Sequence, residues 1–194
     1  MSEPPQLSSD EAKIYDRQLR VWGVNSQQRI RSSNVVFLGL SALAGEVCKN
    51  LCLAGVNNIT VIDWETVTEE GMLHLFLRDV GLNVSIPKAL KSSSLQRATA
   101  SIPHIAELNP MVKVNGIAVA NIDEAVEKLT TSTLPFHIII ASGVDYNHLL
   151  DISVYARKTN AFFVSTELFG MISYSYFDFL ERTVTKYVSS FHLY

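Results

Sequence analysis

The chain has 194 residues, of which 47% are hydrophobic and 18% are charged, and its formal net charge is -3. This length is sufficient for one α/β domain with a core of its own. The small negative charge provides no basic surface for nucleic acid, and no apolar run reaches the roughly 20 residues that span a bilayer. The first residues, Met1–Pro5, lack the regions of a signal peptide. We therefore expect no nucleic-acid or membrane partner, and a location in the cytosol or the nucleus.

The first predicted elements are helices that precede any strand. Residues 1–7 form a polar tail that we expect to be flexible. Ser8 and Glu11 have the spacing of a capping box, which marks the start of a helix. The sequence predicts two helices separated by Gly23, over residues 8–22 and 25–32.

Apolar runs and helical patterns alternate through the rest of the chain, which is typical of a parallel sheet with crossover helices. Strands are predicted over residues 34–39, 59–63, 112–119, 136–141 and 161–165. Helices are predicted between them over residues 42–54, 86–106, 123–129 and 147–158. Residues 172–179 alternate aromatic and small polar side chains, which is typical of an edge or antiparallel strand.

These patterns predict one α/β domain over residues 8–179, built as a Rossmann-like, doubly wound and mostly parallel sheet that follows the N-terminal helices. Residues 180–194 carry neither a helix pattern nor a closing turn signal. We interpret them as a divergent or truncated C-terminal end.

The two cysteines, Cys48 and Cys52, are four residues apart among apolar neighbours. This spacing places both on one buried face of the predicted helix. It disfavours a disulfide, and two thiols without neighbouring histidines make a poor zinc site. We predict that both cysteines are structural, that neither is a catalytic thiol, and that the chain has no metal site.

The loop after the first predicted strand resembles a phosphate-binding turn that has lost most of its glycines. Against the pattern G-x-G-x-x-G, residues 39–44 read G-x-S-x-x-A. Gly39 can make the tight turn, but Ser41 puts a side chain where the backbone has to approach a phosphate. Asp63, at the end of the second strand, lies near the usual offset for a ribose hydroxyl. The pattern predicts a nucleotide fold with weak binding of its own, and leaves an NAD-binding Rossmann oxidoreductase open as an alternative.

The first predicted helix carries a row of cations. Lys13, Arg17 and Arg20 are spaced to share one face. On composition alone, a solvated face with an ion pair between Asp16 and Arg20 is the favoured interpretation of this row. We expect the helix to dock through four apolar residues: Ile14, Leu19, Val21 and Trp22.

The stretch Tyr15–Gly23, Tyr-Asp-Arg-Gln-Leu-Arg-Val-Trp-Gly, closely resembles the N-terminal motif of the activating enzymes for ubiquitin-like proteins, which have a ThiF/MoeB-like adenylation fold. The similarity covers about residues 12–178 and is strongest to the smaller, non-thioester subunit of the SUMO-activating branch. The matching subunit of the NEDD8-activating branch remains an alternative. The further matching segments are Val36–Gly39, Glu46–Leu51, Leu53–Val56, Thr60–Asp63, Leu108–Val112 and Phe169–Gly170.

The same resemblance implies that this chain has lost adenylation chemistry. Active halves of the family carry G-x-G-G-x-G after strand one, an arginine-bearing stretch after strand two, a lysine after Val-Gly and an aspartate after strand four. Here the loop is degraded, residues 71–75 read Gly-Met-Leu-His-Leu, and Val84 stands at the lysine position. Only Asp145 matches, within one position of the aspartate. The remaining candidate nucleotide contacts form a degenerate set: Gly39, Ser41, Asp63 and Asp145.

The resemblance implies a different role for Arg17. In the family, the matching arginine reaches across the heterodimer to the γ-phosphate of ATP in the partner's site, as an arginine finger supplied in trans. Arg20 is then structural or a second phosphate contact. The large catalytic subunit would bind ATP and Mg and supply the thioester cysteine, and SUMO would be the further partner. This chain alone would bind no cofactor tightly. A folded pseudoenzyme that binds the partner without contributing Arg17 is the remaining alternative.

Overall fold

The computed structural model describes residues 8–67 and 95–181 of the chain. Residues 71–75, Val84 and the predicted tail over residues 1–7 lie outside the described residues, as do the start of the predicted helix 86–106 and most of the C-terminal end. Within the described residues, no helix is long and apolar enough to cross a membrane.

Two helices, α1 (Ser9–Ile14) and α2 (Asp16–Arg31), lead into the sheet. The predicted capping box is confirmed: the Ser8 hydroxyl accepts the Glu11 N–H at 3.2 Å, and the Glu11 carboxylate accepts the Ser8 N–H at 2.8 Å. Gly23, with φ 81° and ψ 169°, interrupts the second helix at the predicted helix end.

The predicted single helix 8–22 is wrong in one respect, because the chain bends at Tyr15, where φ is -97° and ψ is 13°. The physical reason is that the Tyr15 side chain is buried in the body of the domain. Lys13 therefore lies on α1 and Arg17 on α2, and the cationic row is divided between two helices.

The described strands form one six-stranded sheet in the order β3-β2-β1-β4-β5-β6, which confirms the predicted Rossmann-like class. Strands β1 to β5 are parallel, and β6 pairs with β5 in the antiparallel direction, as predicted for an edge strand. β5 extends beyond the predicted end because its second half pairs with β6. The strands are β1 (Asn34–Leu38), β2 (Asn58–Asp63), β3 (Lys113–Ala118), β4 (Ile138–Ala141), β5 (Phe162–Phe169) and β6 (Ile172–Asp178).

Helices cover both faces of the sheet and divide the core in two. Val35 and Phe37 belong to one buried cluster and Val36 and Leu38 to the other, because successive strand residues point to opposite faces. The helices are α3 (Ala42–Ala54), α4 (Arg97–Leu108), α5 (Ile122–Thr130) and α6 (Tyr146–Lys158). α4 continues through Pro103, where the sequence predicts a break or kink.

Candidate functional site

The crevice of this fold lies where the strand order reverses, between the carboxyl ends of β1 and β4, which is where doubly wound sheets bind ligands. Residues 39–41 follow β1 and residues 142–145 follow β4. The hydroxyl oxygens of Ser41 and Ser142 lie 2.6 Å apart and share a hydrogen bond. This bond joins the two loops across the crevice.

Gly39 makes the tight turn that the sequence predicts. Its φ is +79°, and a Cβ at this position would lie 2.1 Å from the backbone oxygen of Ser142. Its N–H donates to the Ile62 carbonyl at 2.9 Å. The close approach of the two loops is therefore sufficient to require glycine here, without any phosphate.

Ser41 is the N-cap of α3, and its hydroxyl accepts the Ala44 N–H at 3.2 Å. The neighbouring Leu40 N–H donates to the Asp63 carboxylate at 2.6 Å. An anion at a helix N-terminus is held by N–H groups of this kind. In this chain the protein itself uses these two donors.

Asp63 is fully buried at the end of β2. Its Oδ1 accepts the Glu65 N–H at 2.7 Å, and its Oδ2 accepts both the Leu40 N–H and the Nε–H of Arg97, the latter at 2.8 Å. A ribose would have to compete with these donors for the carboxylate. This arrangement weighs against the NAD-binding alternative.

Arg97 was not identified from the sequence. It lies 34 residues after Asp63, at the start of α4, and reaches the crevice because a bridge between Thr66 and Gln96 brings the two segments together. No local pattern predicts a contact over this separation.

Asp145 is the N-cap of α6, and its carboxylate accepts the N–H groups of Asn147 and His148. It also bonds Nδ1 of the His148 ring, whose Nε2 lies 3.0 Å from the carboxylate of Asp123 in α5. Hydrogen bonds to Asp123 and Asp145 raise the pKa of His148, and the hydrogen bond to His148 lowers the pKa of Asp145. His148 was not identified from the sequence, although an aspartate three residues before a histidine at a helix start is a recognisable signal.

The structure thus joins Gly39, Ser41 and Asp63 around the crevice. The carboxylate of Asp145 bonds His148 of α6, and His148 in turn bonds Asp123 of α5.

Both cysteines are free and buried in the core, as predicted. Burial, with a contribution from Cys52, raises the pKa of Cys48 to about 12, and burial raises the pKa of Cys52 to about 11. A thiol with such a pKa is protonated at neutral pH and is a poor nucleophile. In the part of the chain that the structure describes, no group of three or more His, Cys, Asp or Glu side chains could hold a metal ion.

The N-terminal motif, residues 15–23, is attached to the domain through Tyr15. The Tyr15 hydroxyl accepts the amide N–H of Asn109 at 2.9 Å, and the same amide nitrogen lies 2.9 Å from the Cys52 carbonyl. Gly55 ends α3 with φ +83°, and a Cβ there would lie 2.3 Å from the Tyr15 oxygen. One buried contact therefore joins three of the segments that resemble the family, through Tyr15, Gly55 and Asn109.

Side-chain amides complete the attachment at the end of α3, where the last carbonyls have no partner within the helix. Gln18 donates to the Leu53 carbonyl at 3.1 Å, and Gln27 donates to the Ala54 carbonyl at 2.8 Å. The Trp22 indole N–H donates to Gln27 at 2.9 Å. Polar contacts thus hold α2 on the domain.

The expectation that Ile14, Val21 and Trp22 dock the helix by apolar contacts is wrong, because all three are exposed, Val21 to 78%. Arg20 pairs with Asp16 at 2.8 Å. Arg17 is exposed, and among the described residues it has no hydrogen-bond or ion-pair partner. The motif therefore presents the guanidinium of Arg17, which has no partner among residues 8–67 and 95–181, on a helix that is held by its neighbours.

Comparison with protein families finds that residues 15–176 match the ThiF family. The chain is 34% identical over 180 residues to SUMO-activating enzyme subunit 1 of Xenopus tropicalis, covering 93% of this chain and 48% of that protein. It is 32% identical over 167 residues to the Dictyostelium discoideum protein of the same name, covering 85% and 46%. The human protein of that name is 32% identical over 170 residues, covering 88% and 45%.

The chain thus spans about half the length of these relatives. Among solved structures, a selenomethionine crystal structure of PaaA matches with a TM-score of 0.62 at 17% identity, covering 82% of this chain and 51% of that one. At that identity the match concerns the fold alone.

Proposed function

The chain belongs to the ThiF family, and on that basis we propose that it serves as the smaller, non-catalytic subunit of a heterodimeric SUMO-activating enzyme. Its similarity to proteins named SUMO-activating enzyme subunit 1 supports this proposal. The proposal that this subunit is non-catalytic is supported by the bonds that the Leu40 N–H, the Ala44 N–H and the Asp63 carboxylate make within the protein. Adenylation depends on donors and cations that point at the phosphates of ATP.

One observation carries the proposal: Arg17 is exposed and unpaired among the described residues while the residues around it fix the helix. A guanidinium is a permanent cation with a planar fork of donors that suits phosphate oxygens. Holding its helix by Tyr15 and Gln18 reduces the conformational freedom lost when it meets a ligand.

In the proposed reaction, ATP and Mg are bound by the large subunit, and the C-terminal carboxylate of SUMO attacks the α-phosphorus. The bond between the α-phosphorus and the bridging oxygen breaks, and pyrophosphate leaves with the electron pair. Arg17, placed from this chain, stabilises negative charge on the phosphates as an arginine finger. The following thioester forms on a cysteine of the large subunit, since Cys48 and Cys52 are buried and protonated. We place this activity in the nucleus.

The test is ATP–pyrophosphate exchange that depends on SUMO, measured with this chain alone, with the large subunit alone, and with both. The proposal predicts exchange in the mixture far above the sum of the separate proteins. Replacing SUMO by NEDD8 and its own large subunit distinguishes the two branches. Absence of exchange in the mixture, together with absence of a complex on size exclusion, would overturn the proposal.

A further inference from the structure

The crevice holds a charged cluster that the proposed function does not use. Arg97 donates through Nε to Asp63 at 2.8 Å and through Nη1 to Glu65 at 2.7 Å. The Arg97 side chain is 14% exposed and that of Asp63 is 0% exposed, whereas Glu65 lies at the surface. The guanidinium therefore reaches from the protein surface to the buried carboxylate at the end of β2.

The end of β2 is the place where nucleotide-binding members of this architecture accept ribose hydroxyls on a carboxylate. A carboxylate offers about four acceptor positions. Three of them are used here, by the N–H groups of Leu40, Glu65 and Arg97. Two ribose hydroxyls cannot both bond Asp63 unless a donor leaves.

Of those three donors, only Arg97 belongs to a side chain. The Leu40 and Glu65 N–H groups belong to the backbone that follows β1 and β2, respectively. The side chain of Trp64 also covers the turn, since a Cβ on Gly39 would lie 3.3 Å from its ring. Arg97 is thus the movable group that occupies the ribose position.

We infer that Arg97 blocks the ribose position and so keeps nucleosides out of this chain's own crevice. The inference concerns this chain by itself and is independent of the proposed partner. If Arg97 does not block the ribose position, the result expected from the exchange experiment is unchanged. If the exchange experiment fails, the inference about Arg97 is still valid.

The experiment measures adenosine and ATP binding to the chain alone by calorimetry, with folding of every variant checked by circular dichroism. We expect no saturation of the unchanged protein at millimolar adenosine. Arg97→Ala and Arg97→Gln should each lower the Kd for adenosine at least tenfold. Adding Asp63→Asn to Arg97→Gln should remove the gain, because the ribose hydroxyls would lose the ionised acceptor. Arg157→Ala is the matched control, since Arg157 also pairs with a buried aspartate, Asp178 at 2.8 Å, outside the crevice.

Three results would overturn the inference. The first is equal adenosine binding by the unchanged protein and the Arg97 variants. The second is an equal gain in Arg157→Ala or an undiminished gain in the double variant. The third is unfolding of both Arg97 variants, which would make Arg97 only the counter-ion that Asp63 needs for stability.

Discussion

Two regions of this molecule carry polar residues that a nucleotide could use, and the fold treats them in opposite ways. In the crevice, Ser41 bonds Ser142 and caps a helix, and Asp63 accepts three protein donors. In the N-terminal motif, Tyr15 and Gln18 bond the domain while Arg17 has no partner among the described residues. A polar group that the fold has satisfied is part of the structure, and one that it leaves unsatisfied on a rigid element is available to a ligand.

The largest effect on the exchange rate should follow from removing the guanidinium of Arg17. Arg17→Ala in the complex with the large subunit should lower the SUMO-dependent exchange rate about 10³-fold, which is the lower range for an arginine supplied in trans. The complex itself should form with unchanged affinity on size exclusion. Arg29→Ala is the matched control, because Arg29 is also an exposed arginine of α2. Equal rates for the two variants would favour the folded pseudoenzyme that contributes no arginine.

The attachment of the motif can be broken without touching Arg17. Gly55→Ala would place a Cβ 2.3 Å from the Tyr15 oxygen at a φ of +83°, so we expect a loss of about 2 to 4 kcal/mol in the free energy of unfolding, from backbone strain and overpacking together.

Gly170→Ala separates these two contributions. Gly170 has φ +62° and nothing within 4 Å of a Cβ, so only the backbone part, about 1 kcal/mol, should be lost. Urea unfolding of both variants measures the difference. Equal losses would show that the contact between Gly55 and Tyr15 contributes nothing to holding the motif.

The sequence predicted what depends on local chemistry. Apolar runs identified the strands because parallel strands are buried on both faces, and Ser8 and Gly23 marked helix ends by their capping and turn preferences. Asp63 ends β2 and Ser41 lies in the loop after β1, as the predicted strands imply.

The partners of these residues could not be predicted, because they are set by loops that meet only in the folded chain. Arg97 reaches Asp63 across 34 residues, and Ser142 reaches Ser41 across 101. The exposure of Val21 has a related reason. Apolar residues of a helix normally form its buried face, whereas α2 is held by its own side-chain amides, Gln18 and Gln27, which donate to carbonyls at the end of α3.

A smaller effect tests whether Ser41 belongs to the structure. Ser41→Ala removes the N-cap acceptor of α3 and the bond to Ser142, and should lower the free energy of unfolding by about 1 kcal/mol. Ser41→Gly, which restores the second glycine of the fingerprint, should cost only a few tenths and should not raise ATP affinity, since Leu40 still donates to Asp63. A marked rise in ATP affinity for Ser41→Gly would contradict the view that the polar residues of the crevice serve the structure, unlike Arg17 in the N-terminal motif.

The smallest effect is a pH dependence at His148, which bonds both Asp145 and Asp123 of α5. Because the folded-state pKa of His148 is raised by Asp123 and Asp145, its contribution to stability is complete below the unfolded pKa of about 6.5 and is lost as the pH rises through the folded value. The lowered pKa of Asp145 works in the other direction, so that its contribution is present above about 3.9 and is lost as the pH falls. The two contributions overlap between roughly pH 4 and 6.5.

Urea unfolding from pH 4 to 9 should therefore show a stability difference between the unchanged protein and His148→Gln that is greatest near pH 5 to 6 and declines toward pH 9. A difference that does not vary with pH would mean that His148 acts only through neutral hydrogen bonds, and Asp145 would then be a helix cap without an ionic partner.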